Sequence, residues 1–546
     1  MNISRTNYLF LLTFLILASC KSKHFENDGR TVFRYNESAG ITSLDPAFAR
    51  NQANIWAVNQ LFNGLVQLDD NLKVKPCIAK SWEISTDGQS YTFHLRNDVY
   101  FHQSEAFADK KARKVVANDF VFSFRRLLDE KLASPGAWVL AQVKKEHSKA
   151  FVATNDSTLI ISLEAPFPPF LGLLSMQYCS VVPFEAIEKH GVDFRQHPVG
   201  TGPFSFGIWK EGVKLVMLKN EHYFELANGI PLPYLDAVAV SFIVDKQSAF
   251  LEFIKGNLDF VSGIDASYKD ELLTNDGLLR SKYSFRINLT KQPYLNTEYL
   301  GILIDTNDKA AAESPLKLKM IRQAINHGFD RVKMMRYLRN NIGIAGTAGF
   351  VPAGMPWFDQ KQVQGYDFDP IKSTHLLAQA GFPGGKGLPP ITLTTNASYL
   401  DLCKFIQSQL GEIGIDIRID VTPPATLREL IAQSKVSFFR GSWIADYPDA
   451  ENYLSLFYSP NFCPAGPNYT HFSSALFDKM YEECIRESND SIRGQKYMQM
   501  DQILIEEAPV VVLYYDEALR FSQKSISGLS SNPLNLLNLK QVKKTK

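Results

Sequence analysis

The chain is short of cysteine, of net charge and of long apolar runs, and each shortage closes off a class of function. Its 546 residues carry six cysteines and no CxxC pair, so neither a dithiol redox motif nor a thiolate zinc site has support. The ten histidines are scattered, with no HExxH spacing, and no cofactor or metal is implied. Lys+Arg number 58 against Asp+Glu 57, a net charge of +1. A groove that neutralises many phosphates needs a clear excess of cations, so nucleic acid is excluded as the first partner. No GxSxG elbow occurs, which leaves a serine nucleophile of that type without a sequence basis. Gly381–Gly387 (GFPGGKG) imitates a phosphate loop, but its first glycine comes one place late. Gly387 also stands where Ser or Thr must meet magnesium, and the stretch follows a helix instead of a strand.

What is present is ordinary globular material, 45% hydrophobic, 21% charged and 12% aromatic, enough for three or four units at about 150 residues each. The N-terminus fits an export signal over 1–19: one cation, Arg5, then the eleven apolar or neutral residues Tyr8–Ala18, too few for the about twenty that span a bilayer. Leu17-Ala18-Ser19-Cys20 resembles a bacterial lipobox, which predicts a lipid on Cys20, a polar tether over 20–29 and a protein anchored to the membrane without crossing it. Cys77, Cys179, Cys403, Cys463 and Cys484 are read mostly as buried free thiols.

The body alternates strands and helices. Tyr91, Phe93 and Leu95 alternate with Thr92, His94 and Arg96 after the turn Thr86-Asp87-Gly88, the period of a strand. Asn118–Glu130 places Phe120, Phe124, Leu127 and Leu128 on one helical face. Ser314-Pro315 opens a helix expected to run to about Asn340 with Ile321, Ile325, Phe329 and Val332 inward. Asp369-Pro370 opens another that Gly381 closes. Leu402–Ile413, the strand Ile415–Val421, Thr426–Ser434 and Val436–Phe439 complete an α/β lobe around a sheet. The lysines Lys540, Lys543, Lys544 and Lys546 read as a solvated tail.

Blocks along the whole chain carry a resemblance. Leu61-Phe62-Asn63-Gly64-Leu65, Ala79–Glu83, Tyr91–Arg96 and Val199-Gly200-Thr201-Gly202-Pro203-Phe204 are followed by Asn220–Phe224, Ile321–Ile325 with Asp330-Arg331, and Trp443–Asp449. In this order they resemble solute-binding protein family 5, the periplasmic oligopeptide- and dipeptide-binding lipoproteins of ABC importers. Gln103–Arg113 is longer and more charged than the family's turn there and is read as a surface insertion.

The resemblance implies an α/β, two-lobed periplasmic-binding-protein fold (type II, cluster C) with an extra subdomain in the first lobe. Mapped here, lobe one is 30–296 with the subdomain at about 72–192, lobe two is 297–508, and 509–546 returns as a strand and a tail. The crossings fall near Glu298–Thr306 and Pro509–Tyr515. It implies a non-enzymatic monomer that captures small peptides and delivers them to membrane permease subunits. In family members, an aspartate at the position of Asp446 holds the ligand's α-amino group, and an arginine at the position of Arg440 lies near the ligand. Trp443 and Tyr447 share the same loop as pocket walls. From the residues alone, Asp446 could instead hold a turn, and Arg440 could sit in a buried pair with Asp446 or Asp449. Asp449 reads as a helix N-cap. The alternatives are a non-peptide solute (metal chelate, haem or sugar) in the same fold, or an envelope peptidase.

Overall fold

The computed structural model describes residues 29–545; the export segment, Cys20 and nearly all of its tether lie outside the described residues. One mixed sheet of eleven strands runs through the molecule. In chain order these are β1 (Val32–Asn36), β2 (Phe204–Lys210), β3 (Lys214–Lys219), β4 (Ala237–Ser241), β5 (Phe260–Ser262), β6 (Ile287–Ile302), β7 (Ile344–Ala345), β8 (Ile391–Thr395), β9 (Ile417–Val421), β10 (Phe438–Ile444) and β11 (Val510–Gln523). Their spatial order is β9-β8-β10-β6-β11-β5-β1-β4-β3-β2, with β7 also on β11.

Two long neighbours, β6 and β11, make this one sheet. Their antiparallel ladder is interrupted between Pro293 and Thr297, which face Glu517 and Tyr515. On one side of the break β11 pairs β5, and on the other β6 pairs β10 from Asn296 to Ile302. The interruption lies upstream of the Glu298–Thr306 stretch, whose first residues are already paired with β10 as part of the second lobe's sheet.

Strand alternation divides the second lobe's core into two layers. Val510, Val512, Tyr299 and Phe439 point into one cluster with Phe350 and Tyr453. Val511, Leu513, Leu300 and Phe438 point into the other with Ile321, Ile325 and Ile406. With both faces covered, the six residues Val510–Tyr515 are all buried, which is why they read as one continuous apolar run. The first lobe's core gathers Phe33, Trp56 and Phe204, and the tail returns to it through Leu537, Leu539 and Val542. A separate antiparallel sheet, Ala79–Ile84, Ser90–Leu95, Thr158–Ser162 and Phe151–Asn155, forms the subdomain. The helix Ala117–Leu127 covers it, with Phe124 against Phe151 at 5.3 Å between ring centroids.

Three local expectations need correction. The helix expected from Ser314 to Asn340 is three pieces: a short turn Pro315–Lys317, then Lys319–His327, then Arg331–Arg339. Gly328 ends the second piece and Asp330 caps the third, accepting from Lys333 N, so the direction changes and Val332 is exposed. The tail lysines are not all solvated: Lys540 Nζ meets Glu225 at 2.6 Å and Lys544 Nζ meets Asp259 at 2.8 Å. The expected insertion 103–113 is mostly exposed, yet Phe107 is buried in it against Phe101.

The Gly200 and Gly202 block also has a physical reason. Both lie against the end of the helix Gln52–Leu61, where a Cβ would overlap the carbonyl groups of Leu61 and Gln60, and Gly202 N donates to Leu61 O at 2.9 Å.

Candidate functional site

β10 ends at Ile444 and the chain turns through Ala445–Ala450 into the short helix Glu451–Leu454. This loop is tied to the crossing strand. Leu295 O accepts from Ala445 N at 2.9 Å and from the Tyr453 hydroxyl at 2.7 Å. Asn452 Oδ1 accepts from Trp443 Nε1 at 2.9 Å and from Asp446 N at 3.3 Å. Glu451 is buried between the hydroxyls of Tyr447 and Tyr481, both of which donate to it. Asp449 accepts from Glu451 N at 3.0 Å, a local cap, and faces Arg493 Nη2 at 3.8 Å.

Within this satisfied network the Asp446 carboxylate has no ion-pair partner among the described residues. It is exposed to solvent, yet protein around it desolvates the group and raises its pKa above the ordinary carboxylate range, against the hydrogen bond from Asn452. The first lobe faces it with Tyr178, whose hydroxyl is pushed up to about 12 by burial, with the Asp446 charge adding to the shift. Trp138, also from the first lobe, lies 6.3 Å from the Tyr447 ring, and Gly172 approaches Tyr447 and Pro448. A groove of about 980 Å³ continues from this contact, walled by Tyr91, Pro169 and Leu171 on one side and Trp357, Pro448 and Arg493 on the other.

Arg440 is placed differently from Asp446. It lies on β10 opposite Leu300 of β6, pairs with Glu298 and lies over the Tyr399 ring at 3.3 Å. The partner is thus Glu298 and neither Asp446 nor Asp449. Burial raises the Glu298 pKa even though the Arg440 charge pulls it down. Asn296 Nδ2 donates to Glu298 at 3.1 Å, and Arg339 holds Asp516 at 2.8 Å while covering Tyr514. Charged groups therefore line the interruption in the β6–β11 ladder. Asp446 and Tyr447 lie in one loop, whereas Trp443, expected there, stands near the end of β10 and is joined to the loop through Asn452, and Arg440 belongs to this crossing. Tyr178, Trp138, Glu298 and Asn452 were missed; only Asn452, six residues after Asp446, carried a local signal, as an amide able to cap the turn.

Two lobes sharing one sheet, crossed by two strands and facing each other over a partly desolvated carboxylate, define a binding protein whose ligand lies between the lobes. The chain belongs to the bacterial extracellular solute-binding proteins, family 5, whose model matches residues 73–462. It is 27% identical over 550 residues to heme-binding protein A of Haemophilus influenzae, covering 95% of each chain. It is 24% identical over 541 residues to the dipeptide-binding protein DppE of Bacillus subtilis, covering 94% of this chain and 92% of that one. Among solved structures it is similar to the periplasmic binding protein DppA from Helicobacter pylori in complex with the peptide STSA: TM-score 0.73, 25% identity, 96% of this chain and 100% of that one.

Proposed function

We propose that this protein is an extracytoplasmic peptide receptor, lipid-anchored at Cys20, that closes its lobes around a small peptide as a monomer and hands it unchanged to the permease subunits of an ABC importer. The observation that carries the ligand class is the Asp446 carboxylate, which lacks a cation among the described residues while its neighbours are all partnered. A peptide α-ammonium supplies that charge. Relatives named for dipeptides and a neighbour solved with a tetrapeptide support the same ligand class. The lobe limits 30–296 and 297–508, with 509–546 returning, are supported by the ladder break just before Thr297. Tyr178 and Trp138 complete the amino-terminal pocket with Trp443 and Tyr447, and Arg440 acts through Glu298 on the crossing.

In a closed cleft an Asp446–ammonium pair is charge-assisted and weakly screened. Asp446→Asn removes the charge but keeps the shape. Losing one member of such a pair costs about 2–5 kcal/mol, roughly thirty- to several-thousand-fold in affinity. Calorimetry with a good peptide and its N-acetylated copy on both proteins forms a double-mutant cycle. The wild type should reject the acetylated peptide and the variant should not distinguish the two. Simple additivity would show that Asp446 does not touch the amine. Haem, the ligand named for the Haemophilus relative, is the competitor: displacement of haem but not of peptide by other solutes would favour the non-peptide reading.

A further inference from the structure

Away from the cleft, the second lobe brings a thiol, an imidazole and a carboxylate into line. Cys463 Sγ lies 3.3 Å from His471 Nε2, and His471 Nδ1 lies 3.4 Å from Asp305 Oδ2. Ser434 Oγ bridges the first pair, 3.1 Å from the sulfur and 3.2 Å from Nε2. The Phe462 ring stacks on the imidazole at 4.5 Å with 2° between planes. Asp305 follows β6, Ser434 follows the helix Pro424–Ala432, and the other two come from one loop. Ser434 and His471 are both held at positive φ, +55° and +49°, a region that side-chain-bearing residues enter only when their surroundings impose it. Asp305 approaches the ring nitrogen remote from the sulfur, so the three groups cannot share a metal ion; they form a relay.

The other described thiols have different partners. Burial pushes Cys77 and Cys484 up to about 12 and raises Cys179 and Cys403. Cys179 and Cys484 meet only backbone carbonyls, Leu173 O and Arg493 O. Cys463 is the one of the five described cysteines with an imidazole in hydrogen-bond range. It is 4% exposed, and Pro464 and Ala465, which follow it, are exposed.

We propose that Cys463 is an oxidant-reactive thiol, with His471 as its base and Asp305 as the positioning residue for His471, and that its reagent is a small hydroperoxide. Nε2 also lies 3.1 Å from Cys463 O; with the ring proton on Nδ1 toward Asp305, Nε2 is unprotonated and takes the thiol proton. The thiolate attacks one peroxide oxygen, so an S–O bond forms as the O–O bond breaks. Sulfur is oxidised to the sulfenic acid, the peroxide is reduced, and the departing hydroxide takes the imidazolium proton and leaves as water. His471 ends neutral, and a small thiol can restore Cys463 through a mixed disulfide.

The test is limited hydrogen peroxide with dimedone on the folded full chain, followed by peptide mapping. Dimedone should mark Cys463 alone. His471→Gln should slow marking by roughly a hundredfold or more, the range of a lost acid–base partner. Asp305→Asn should slow it less, and Asp305→Glu should restore it. Marking of another cysteine, marking only after urea, or an unslowed His471→Gln would each overturn the proposal. Should the His471 variant fail to fold, the wild-type map decides alone, since the proposal requires Cys463 and no other residue to carry the label.

Discussion

Arg440→Met is the substitution whose consequence can be worked furthest from the structure. Arg440 and Glu298 are 10% and 4% exposed as side chains. Glu298 already has a raised pKa with Arg440 in place, so desolvation outweighs the attraction. Without the guanidinium, an ionised Glu298 would be a lone buried charge, a loss of about 3–5 kcal/mol. The carboxyl can escape by keeping its proton, which limits the loss to about 1.4 kcal/mol for each pH unit by which the working pH exceeds its unfolded pKa, up to the folded pKa. In the unfolded chain Glu298 titrates near 4.3. A folded pKa raised above that value means stability is intact below about pH 4 and is lost as pH rises toward the folded value. The variant should therefore be close to wild type at pH 5 and weakest at pH 8. Losing the contact with Tyr399 adds a pH-independent offset of about 0.5–2 kcal/mol. Adding Glu298→Gln should remove the slope and leave only that offset. Urea unfolding followed by tryptophan fluorescence at several pH values reads all three proteins. An equal loss at pH 5 and pH 8, or a slope that survives Glu298→Gln, would show that Arg440 is not there to neutralise Glu298.

Other sites give sharp expectations. Gly200→Ala would drive a methyl group into the Leu61 carbonyl, backbone that cannot move aside; a loss above about 3 kcal/mol is expected in denaturant titration, and a near-neutral result would refute the packing. Asp501 accepts from Phe350 N at 2.6 Å and Val351 N at 3.2 Å, yet burial pushes its pKa up to about 7. Its contribution is full below about pH 4 and is lost as pH rises to about 7, so Asp501→Asn should flatten thermal melts over that interval; an unchanged difference between pH 4 and 7 would oppose this. Cys20→Ser should release the protein from the membrane fraction without unfolding it. Retention after a salt wash would defeat the anchor, because a net charge of +1 offers no electrostatic substitute.

What the sequence made legible was local. Alternation at Tyr91, Phe93 and Leu95 matches their burial in one strand face, and Asp369 caps its helix by accepting from Lys372 N as its place before Pro370 suggests. The missed charge pairs share one cause. Glu298 and Arg440 are 142 residues apart, and Lys544 and Asp259 are 285 apart, so charge near a terminus or on a strand says nothing about its partner. The broken helix failed for a different reason: apolar spacing continued through Gly328 and Asp330, and the cap at Asp330 prevailed over periodicity. Asp446 was legible as a residue of interest, but Tyr178 opposite it comes from the other lobe and had no sequence signal of its own.

The continuous sheet places a constraint on how such a receptor can move. Strands paired along their whole length resist bending, so closure must use the place where pairing lapses. Between Pro293 and Thr297 three residues of β6 face the single Asp516 of β11, and Pro293 has no N–H to give. The lapse is not empty: Asn296, Glu298, Asp516 and Arg339 occupy it as linked charges and amides. The Asp446 loop is fastened to the same place, since Leu295 O holds both Ala445 N and the Tyr453 hydroxyl while Leu295 N donates to Pro533 O of the tail at 2.9 Å. Under the proposed closure, rotation at the lapse would carry Asp446 toward or away from Tyr178. The two roles separate cleanly on the physics. In the proposed receptor Asp446 offers its charge to the ligand, whereas Arg440 is paired with Glu298 on the crossing strand.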